Sequence, residues 1–329
     1  MSKFLVTGGA GYIGSHTCKL LAQVGHQPVV YDNLVYGHKW AVKWGPLEEG
    51  DLNDTNRLID VIKKHNIEAV IHFAAFCYVG ESVQKPDIYY KNNVCGTLSL
   101  LLAMKETNVK KIVFSSTCAT FGVPVMIPIN EKHPQKPINP YGRTKQIIET
   151  ILRDFVDSFG FSVVVLRYFN AAGADPDTEI GEVHDPETHL IPVAFKVATG
   201  DFDKLVVFGD DYDTPDGTCV RDYIHVTDLA TAHKLALDSI ISPEQVSGFE
   251  DYNLGNGKGF TVKQVISCAE TVSQKKIAVE TGGRRLGDPS TLISDSRKAI
   301  SKLGWTPKFS NLNTIIETAW KWHLKAKTM

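Results

Sequence analysis

Short apolar runs alternate with amphipathic stretches through the first half of the chain. The runs that predict strands are 3–7, 28–32, 69–74, 111–116 and 162–168. The stretches that predict helices lie near 12–25, 54–66, 87–107 and 140–159. Within the runs, apolar and polar residues do not alternate, which is typical of strands buried on both faces. We therefore predict an α/β fold, with a doubly wound parallel sheet that has helices on both sides.

A glycine-rich turn joins the first predicted strand to the first predicted helix. Gly8, Gly11 and Gly14 are spaced to turn the chain tightly, to bring backbone N–H groups against a pyrophosphate and to pack helix on strand. The phosphates would lie at the positive end of the helix. Glycine turns are common, but this one has a strand before it and a helix after it. The motif therefore predicts a Rossmann dinucleotide-binding domain.

The second predicted strand ends in an acidic residue, Asp32. A carboxylate at this place accepts hydrogen bonds from a ribose 2′-OH and repels a 2′-phosphate. The next basic residue along the chain is Lys39, after His38. NAD is therefore predicted over NADP, the alternative being an aspartate that only caps a turn.

The pattern changes beyond about Ala172, where 173–190 is a polar loop followed by shorter elements that include 205–208 and 276–280. The stretch 226–240 predicts a helix that returns to the first lobe. We expect a Rossmann domain of residues 1–172 together with 226–240. Residues 173–329 then form a smaller, discontinuous α/β C-terminal substrate domain.

The bulk properties of the 329 residues exclude several classes of partner. A net charge of −2 leaves no basic stripe for a nucleic acid. No apolar run reaches 18 residues, so no membrane-spanning helix is expected. The chain enters a strand at once, which predicts no signal peptide, and its six cysteines form no CxxC and no zinc spacing. We expect a cytoplasmic protein with reduced thiols. His184 and His189 are spaced as H-x4-H, which favours a loop over a metal site, and no metal is predicted.

A tyrosine and a lysine share one face of the predicted helix 140–159. Tyr141 and Lys145 are four residues apart, after the N-cap residue Asn139 and Pro140. A positive charge ~4 Å from the phenol, at an effective dielectric near 20, is worth on the order of 4 kcal/mol. At roughly 1.4 kcal/mol per pKa unit, Lys145, helped by the positive ring of the predicted NAD, is enough to lower a tyrosine pKa from ~10 toward ~7. Thr117 follows the strand 111–116 and can place its hydroxyl beside Tyr141. The spacing Y-x-x-x-K is common by chance, but in this context it predicts a catalytic base.

These motifs together resemble the extended short-chain dehydrogenase/reductase family. The stretches that carry the resemblance are 8–14, 115–117, 141–145 and 167–170. Two further stretches, 79–83 and 217–225, are similar to the UDP-galactose (UDP-glucose) 4-epimerases within it. The resemblance runs from Lys3 to about His323.

The resemblance implies an isomerase that holds NAD tightly. Hydride would leave C4 of a UDP-sugar, and the 4-keto sugar would turn before the hydride returns. Tyr141 would be the base, with Thr117 as its hydroxyl partner and Lys145 beside it. The implied cofactor-binding residues are Gly8, Gly11, Tyr12, Ile13, Gly14, Asp32, Asn33, Asp51, Leu52, Phe73, Ala74, Ala75, Asn92, Ser115, Tyr141, Lys145 and Tyr168. The implied substrate-binding residues are Thr117, Tyr141, Asn170, His189, Leu190, Phe208, Arg221, Tyr223, Arg285 and Asp288.

Three positions shape the expected ligand contacts. Cys77 stands where some relatives carry a lysine toward the cofactor phosphates, so one charge contact is missing. His189 stands where some carry an asparagine against the substrate. Leu292 occupies the position that limits space beside the sugar. Arg221 and Arg285 can clamp a diphosphate through charge-assisted hydrogen bonds, worth ~1.5–3 kcal/mol each.

Three alternatives remain. A nucleotide-sugar 4,6-dehydratase would follow the threonine with an Asp-Glu pair, whereas Thr117 is followed by Cys118 and Ala119. A UDP-pentose (arabinose/xylose) 4-epimerase shares the reaction and differs only at the C6 group. A non-catalytic NAD-binding sensor usually lacks the tyrosine or the lysine, and both are present. Relatives are often homodimers, for which 87–107 and 140–159 are the candidate contact helices.

Overall fold

A seven-stranded parallel sheet is the main element of the computed structural model, which describes residues 1–242, 248–285 and 288–329. The described strands are β1 (Lys3–Thr7), β2 (Gln27–Asp32), β3 (Leu47–Glu49), β4 (Ala69–His72), β5 (Lys111–Thr117), β6 (Ser162–Tyr168), β7 (Asn170–Ala172), β8 (Leu205–Phe208), β9 (Val220–His225), β10 (Gly248–Leu254), β11 (Gly259–Thr261), β12 (Val279–Gly282) and β13 (Thr291–Leu292). The described α-helices are α1 (Tyr12–Gln23), α2 (Thr55–His65), α3 (Val79–Gln84), α4 (Pro86–Tyr89), α5 (Gly96–Glu106), α6 (Pro140–Phe159), α7 (Leu190–Ala198), α8 (Val226–Ile241), α9 (Val262–Ser273), α10 (Arg297–Leu303) and α11 (Leu312–Ala326). Short 3-10 turns lie at Lys39–Ala41 and Cys118–Thr120.

The main sheet has the strand order β3-β2-β1-β4-β5-β6-β10, and every neighbouring pair is parallel. The order reverses direction between β1 and β4, which is the switch point at which open α/β sheets bind ligands. The predicted α/β class with a doubly wound parallel sheet is confirmed.

The buried strands alternate their side chains between two apolar layers. Leu5 and Val70 face the layer that contains α2, α5 and α6. Phe4 and Ile71 face the opposite layer, which contains α1 and α8. The strand side chains are buried on both faces of the sheet, which explains why the sequence shows continuous apolar runs there.

Two strands of the main sheet were not predicted. β3 has three residues, too few for a hydrophobic pattern to appear. β10 carries Glu250, Asp251 and Asn253 and lies at the edge of the sheet, paired only with β6 among the described strands. The apolar run predicted a strand at 276–280. The strand that pairs with β8 is β12, which begins only at Val279.

The predicted helix 87–107 contains a change of hydrogen-bonding pattern. α4 passes into a π-helical segment at Tyr90–Cys95 and then into α5. Such π segments are rare and occur frequently at functional sites. Here the segment turns Asn93 inward, where its Nδ2 donates to Oγ1 of Thr144 on α6 at 3.1 Å.

A second, smaller sheet follows the main one. β9 pairs with β7 and β13 in parallel and with β11 antiparallel, and β8 pairs with β12 in a separate ladder. α7, α9 and α11 pack together over this part around a third apolar cluster. In the described part of the chain, no helix is both long and apolar enough to span a bilayer.

Candidate active site

The predicted phosphate turn has the shape that a dinucleotide requires. A Cβ atom on Gly14 would lie 2.2 Å from the backbone oxygen of Gly8, and one on Gly8 would lie 2.6 Å from the nitrogen of Ala74. Gly8 also has φ +72°, which favours glycine. α1 begins after Gly11 with no side-chain cap, so the amide groups of Tyr12 and Ile13 open the helix as donors for an anion. These residues fit a pyrophosphate.

Asp32 lies at the carboxyl end of β2 and is buried. Its carboxylate accepts hydrogen bonds from the backbone nitrogens of Ala10 (3.0 Å) and Leu34 (2.9 Å). Burial raises the pKa of Asp32, and these two hydrogen bonds act against the rise. Asp32 therefore does cap a turn. This does not exclude a role in cofactor binding, because each carboxylate oxygen keeps a lone pair that can accept from a ribose hydroxyl.

The other predicted cofactor residues surround this turn. Asn33 donates to the carboxylate of Asp51 at 3.0 Å, beside the end of β2. The backbone nitrogens of Phe73 and Ala74 donate to the oxygen of Thr7, which holds the end of β4 against the glycine turn. Three predicted cofactor residues lie farther along the chain. Leu52 is buried against Gly96. Ala75 follows β4, and Asn92 lies in the π segment.

α6 begins directly against the turn that follows β5. A Cβ atom on Gly142 would lie 2.4 Å from the backbone oxygen of Ala119, so only glycine allows this approach. The Asn139 side chain caps the helix through a 2.8 Å bond from the Gly142 nitrogen. The close contact places Tyr141 near Thr117, whose hydroxyl acts to lower the pKa of the phenol.

Lys145 is buried one helical turn after Tyr141. Its Nζ donates to the backbone oxygen of Ser115 at 2.8 Å and lies 4.8 Å from the centre of the Phe114 ring. Burial lowers the pKa of Lys145 to about 8, although the nearby Cys77 and Glu149 raise it. Ser115 also hydrogen-bonds the hydroxyl of Tyr168 through its side chain.

The protein alone does not lower the pKa of Tyr141, and the predicted lowering, which includes the charge of the cofactor ring, stays a prediction. Burial in the cleft raises the pKa of Tyr141 well above its usual value, the nearby Cys77 and Tyr168 raise it further, and the hydrogen bond with Thr117 lowers it only in part. The physical reason is desolvation: taking the phenolate out of water costs more than the protein's own groups return. Activation of Tyr141 therefore needs positive charge that a bound ligand brings.

Of the predicted diphosphate-binding residues, Arg221 lies in β9 of the second sheet and Arg285 follows β12 of the separate β8–β12 ladder. A side-chain nitrogen of Arg221 donates to Oδ1 of Asp288 at 2.5 Å. The guanidinium of Arg285 lies 3.9 Å from the centre of the Phe208 ring, and that ring is partly exposed. Arg221 is therefore oriented by a carboxylate, and Arg285 and Phe208 form a flat cationic and aromatic surface.

The remaining substrate-side residues are aligned by strand register. Asn170 lies opposite Tyr223 in the β7–β9 ladder, and Leu292 lies opposite Arg221 in the β13–β9 ladder. Leu292 also packs against an apolar cluster that contains Cys118 and Phe169. The strand that carries Arg221 is thus fixed beside the turn that follows Thr117.

His189 immediately precedes α7, whose first residue is Leu190. Its Nδ1 lies 2.9 Å from Glu182 and 3.0 Å from Glu187. Burial lowers the pKa of His189, but the two carboxylates more than compensate and raise it well above its usual value. Neither glutamate was predicted, since glutamate in a polar loop carries no distinctive sequence signal.

A buried ionic network behind the catalytic residues was also missed. Arg167 and Glu149 each expose only 2% of the side chain and pair at 2.6 Å. Glu149 also accepts from Ser116 at 2.6 Å, and Arg167 donates to Asp251 at 2.9 Å. The network joins β5, α6, β6 and β10. Its one sequence signal is a glutamate four residues after Lys145, on the same face of the helix.

Comparisons with known proteins agree with this geometry. Residues 5–318 match a family model described as GDP-mannose 4,6 dehydratase. A UDP-glucose 4-epimerase of Rhizobium leguminosarum bv. trifolii is 52% identical over 98% of this chain and 97% of its own. The crystal structure of UDP-glucose 4-epimerase from Brucella ovis in complex with NAD is 52% identical, with a TM-score of 0.94 over 98% of each chain. The crystal structure of the Bifidobacterium longum UDP-glucose 4-epimerase with NAD+ and UDP is 39% identical, with a TM-score of 0.94 over 99% of each chain.

Proposed function

Since the chain belongs to the extended short-chain dehydrogenase/reductase family, among the UDP-glucose 4-epimerases, we propose that it interconverts UDP-galactose and UDP-glucose with NAD as cofactor. It is an isomerase, and the 4-keto sugar is the intermediate. The observation that supports the mechanism is that Lys145, one helical turn after Tyr141, donates to Ser115 on β5, at the same sheet edge as the glycine turn that follows β1.

We propose that the cofactor is held by the glycine turn 8–14, by Asp32 and by the ends of β4 and β5. The amide groups at the start of α1 bind its pyrophosphate, and Asp32 accepts from the adenosine ribose. Lys145 and Tyr168 bind beside the ring at the other end. When bound, NAD accepts a hydride from C4 of the sugar and returns it to the opposite face.

Tyr141 is the proposed general base. Its phenol oxygen takes the proton of the C4 hydroxyl, and the Thr117 hydroxyl holds that substrate oxygen and relays the proton. Because burial raises the pKa of Tyr141 in the protein alone, the proposed phenolate needs the positive charge of the bound cofactor ring in addition to Lys145. The return of the proton regenerates the phenolate, so the cycle consumes no external acid or base.

Substrate binding is proposed to be strong at the nucleotide and weak at the sugar. Arg221 and Arg285 bind the diphosphate, and Phe208 and Tyr223 contact the nucleotide. Asp288 orients Arg221 through the 2.5 Å contact. Asn170, His189 and Leu190 line the sugar side. A sugar held only by such contacts can turn between the two hydride transfers.

The two catalytic alternatives are less well supported. The matched family model carries the description of a 4,6-dehydratase, but the residues after Thr117 are Cys118 and Ala119, which supply no acid–base pair for the loss of water. The full-length relatives named above are UDP-glucose 4-epimerases, which favours a hexose over a pentose substrate.

The proposed activity is tested on purified protein with UDP-galactose and NAD. The expected product is UDP-glucose, reached from either side at the same equilibrium ratio. Parallel reactions with UDP-arabinose and UDP-xylose separate the hexose from the pentose function, and Tyr141→Phe is the matched inactive control. Product from UDP-pentoses but none from UDP-galactose would overturn the proposed substrate.

We also propose that the protein is a homodimer. Leu98 and Leu102 on α5 and Ile147 on α6 expose 38%, 46% and 37% of their surface, on the two helices predicted to meet a second copy. Sedimentation equilibrium of the parent and of Leu102→Glu tests this. We expect a dimer that the charged residue dissociates, whereas a parent that sediments as a monomer would contradict the proposal.

A cytoplasmic location and a two-domain organisation complete the proposal. The six cysteines are free thiols, as expected for a reducing compartment. The proposed domains are the Rossmann unit of 1–172 with 226–240 and a discontinuous substrate unit within 173–329, from which β10 is taken because it belongs to the main sheet. Cell fractionation tests the location, and limited proteolysis tests the division.

A further inference from the structure

Two glutamates and two histidines bring their ligand atoms together in the loop before α7. One carboxylate oxygen or ring nitrogen from each of Glu182, His184, Glu187 and His189 lies within 4.8 Å of all the others. Nδ1 of His184 lies 3.0 Å from Glu182 and 3.8 Å from Glu187. Nδ1 of His189 lies 2.9 Å and 3.0 Å from the same two carboxylates.

These separations match a tetrahedral metal site. Zinc binds histidine nitrogen and carboxylate oxygen at about 2.0–2.2 Å, which makes the edge of a regular tetrahedron about 3.3–3.5 Å. The separations from each Nδ1 to the two glutamates run from 2.9 to 3.8 Å, with a different oxygen of Glu187 facing each histidine. An ion could therefore enter after movements of a few tenths of an ångström.

The charge of the cluster also favours a divalent cation. Glu182 and Glu187 expose only 9% and 2% of their side chains, and among the described residues no lysine or arginine nitrogen lies within 4.0 Å of either carboxylate. Two buried carboxylates need positive charge beside them, which either a protonated histidine or a bound metal ion can supply. One divalent ion supplies the two positive charges while leaving both imidazoles neutral.

A second cluster in the same loop shows what a completed site looks like. Asp175, Asp177 and Glu179 also gather their oxygens, but Nζ of Lys19 lies 2.8, 3.0 and 2.6 Å from them. The lysine ammonium already occupies the position of a cation there. No metal is proposed for that cluster.

The orientation of His184 is an independent observation. Its Nδ1 is buried and makes no hydrogen bond within the described structure, although the Glu182 oxygen lies only 3.0 Å away. A protonated Nδ1 would be aimed at the carboxylate. In the neutral ring with its proton on Nε2, Nδ1 would instead direct its lone pair into the cluster, where it could bind a metal ion.

We propose that Glu182, His184, Glu187 and His189 bind one zinc-class divalent cation. The site goes beyond the proposed function, since the epimerase chemistry uses no metal. The H-x4-H spacing alone predicted no metal, because the two ligands that complete the set are glutamates, which that spacing does not include. Two imidazoles and two carboxylates suit zinc among the common divalent ions.

The metal would act as a positioning element for the substrate side of the cleft. With Nδ1 of His189 on the ion, the ring proton lies on Nε2, which is then a fixed hydrogen-bond donor. The residue after His189 opens α7, so the ion also fixes the start of that helix. A cavity of about 180 Å³, lined by Glu182, His184 and Glu187 on one side and by Trp322 on the other, gives an ion space to enter.

The experiment uses tag-free NAD-bound protein that has been treated with EDTA and dialysed. Zinc is titrated calorimetrically without substrate, and the zinc retained after dialysis is counted by mass spectrometry. We expect one zinc per chain. In His184→Asn the affinity for zinc should fall by at least about tenfold, as it does when groups around other metal sites are mutated. His65→Asn is the matched control, because His65 contacts a glutamate, Glu48, that Arg57 and Lys64 already neutralise. Its zinc affinity should equal that of the parent.

A parent that retains no zinc, or a His184→Asn protein that binds zinc as tightly as the parent, would overturn the proposal. If His184→Asn does not fold, Glu182→Gln replaces it. Two measurements on the parent also decide the matter. Zinc should raise the melting temperature, and cobalt in place of zinc should give the intense visible bands of a tetrahedral site. An absent temperature shift or octahedral bands would count against the site. None of these readouts depends on epimerase activity.

Discussion

The ammonium group of Lys145 is fixed to the backbone oxygen of Ser115 by a 2.8 Å hydrogen bond. This bond ties the helix that carries Tyr141 to the strand that ends in Thr117, so the base and its hydroxyl partner move as one unit. It also leaves the lysine buried, with its pKa lowered to about 8. The catalytic residues are therefore held rigidly before any ligand arrives, while the phenol still needs cationic surroundings to ionise.

Replacing Tyr141 with phenylalanine removes the proposed base and leaves the ring in place. Turnover of UDP-galactose should fall by about 10²–10⁴-fold, the usual contribution of a proton-transfer group. The measurement is kcat, with the NAD content of the purified protein as its control. NAD should stay bound, since the glycine turn is untouched. Unchanged turnover would refute the assignment of Tyr141.

Asp32→Asn tests the choice of cofactor more cleanly than Asp32→Arg. An arginine would have to enter a buried turn, whereas asparagine keeps the shape of the side chain and can still accept from one of the two backbone nitrogens, those of Ala10 and Leu34, that contact separate oxygens of Asp32. Loss of the charge should weaken NAD binding and relax the discrimination against NADP by about tenfold or more, since hydrogen bonds to charged groups are worth about 1.5–3 kcal/mol. Titration of both cofactors into stripped protein measures the ratio. An unchanged ratio would contradict the role given to Asp32.

Leu292→Ala opens space beside Cys118 and Phe169, next to the turn that follows Thr117. Activity on UDP-N-acetylglucosamine should rise relative to activity on UDP-galactose, because the acetamido group needs that volume. The ratio of kcat/KM values for the two sugars is the readout. Leu324→Ala, an exposed leucine of α11, is the control and should leave the ratio unchanged. Equal ratios in all three proteins would exclude Leu292 as the residue that limits sugar size.

Glu149→Gln removes the charge that faces buried Arg167. Breaking a buried pair usually costs about 3–5 kcal/mol of unfolding free energy, and we expect the lower end because Asp251 also pairs with Arg167. Urea unfolding provides the measurement. The control is Asp238→Asn, which breaks a half-exposed contact with Lys234 on α8 and should cost no more than about 0.5 kcal/mol. Similar losses in the two variants would mean that the buried network contributes little.

His72 predicts a loss of stability in acid. Burial lowers its pKa to about 3, with Lys145 adding to the shift, and the hydroxyls of Thr7 and Thr97 hydrogen-bond the two ring nitrogens. The unfolded chain takes up a proton below about pH 6.5 while the folded protein does not. The unfolding free energy should therefore fall as the pH drops from about 6.5 toward 3, by up to about 1.4 kcal/mol per pH unit.

His72→Gln should reduce this pH slope, measured by urea unfolding at pH 7, 6 and 5. His233→Gln repeats the test at a second buried histidine, because burial lowers the pKa of His233 to about 4. Asp222 acts in the opposite direction, since burial raises its pKa to about 6, so the slope of the parent is smaller than the histidines alone would give. Equal slopes in the parent and both variants would show that the buried histidines do not set the acid limit.

The sheet was predictable because its physics is local. The runs that form β1, β4, β5 and β6 are buried on both faces and therefore apolar throughout. β10 was not predicted, because an edge strand with polar residues has no such apolar run. Its position depends on pairing with β6, a contact between residues far apart in the chain.

The site was predictable where a residue type is needed at a fixed spacing. Gly8, Gly14, Tyr141 and Lys145 occur in patterns that the backbone geometry requires, and the structure brings them to one edge of the sheet. The pKa of Tyr141 was not predictable in the same way, since it depends on how many atoms exclude water around it. Glu149 and Glu187 were missed because the role of a glutamate depends on the side chains that it contacts in the folded protein, and the sequence pattern does not reveal those contacts.

The edge position of β10 has a consequence for synthesis on the ribosome. The nascent chain exposes the open side of β6 until residues 248–254 have left the exit tunnel, long after the nucleotide-binding half has emerged. An open strand edge is prone to pair with other chains. Chains truncated before Leu254 leave this edge of β6 open and should therefore be prone to aggregate.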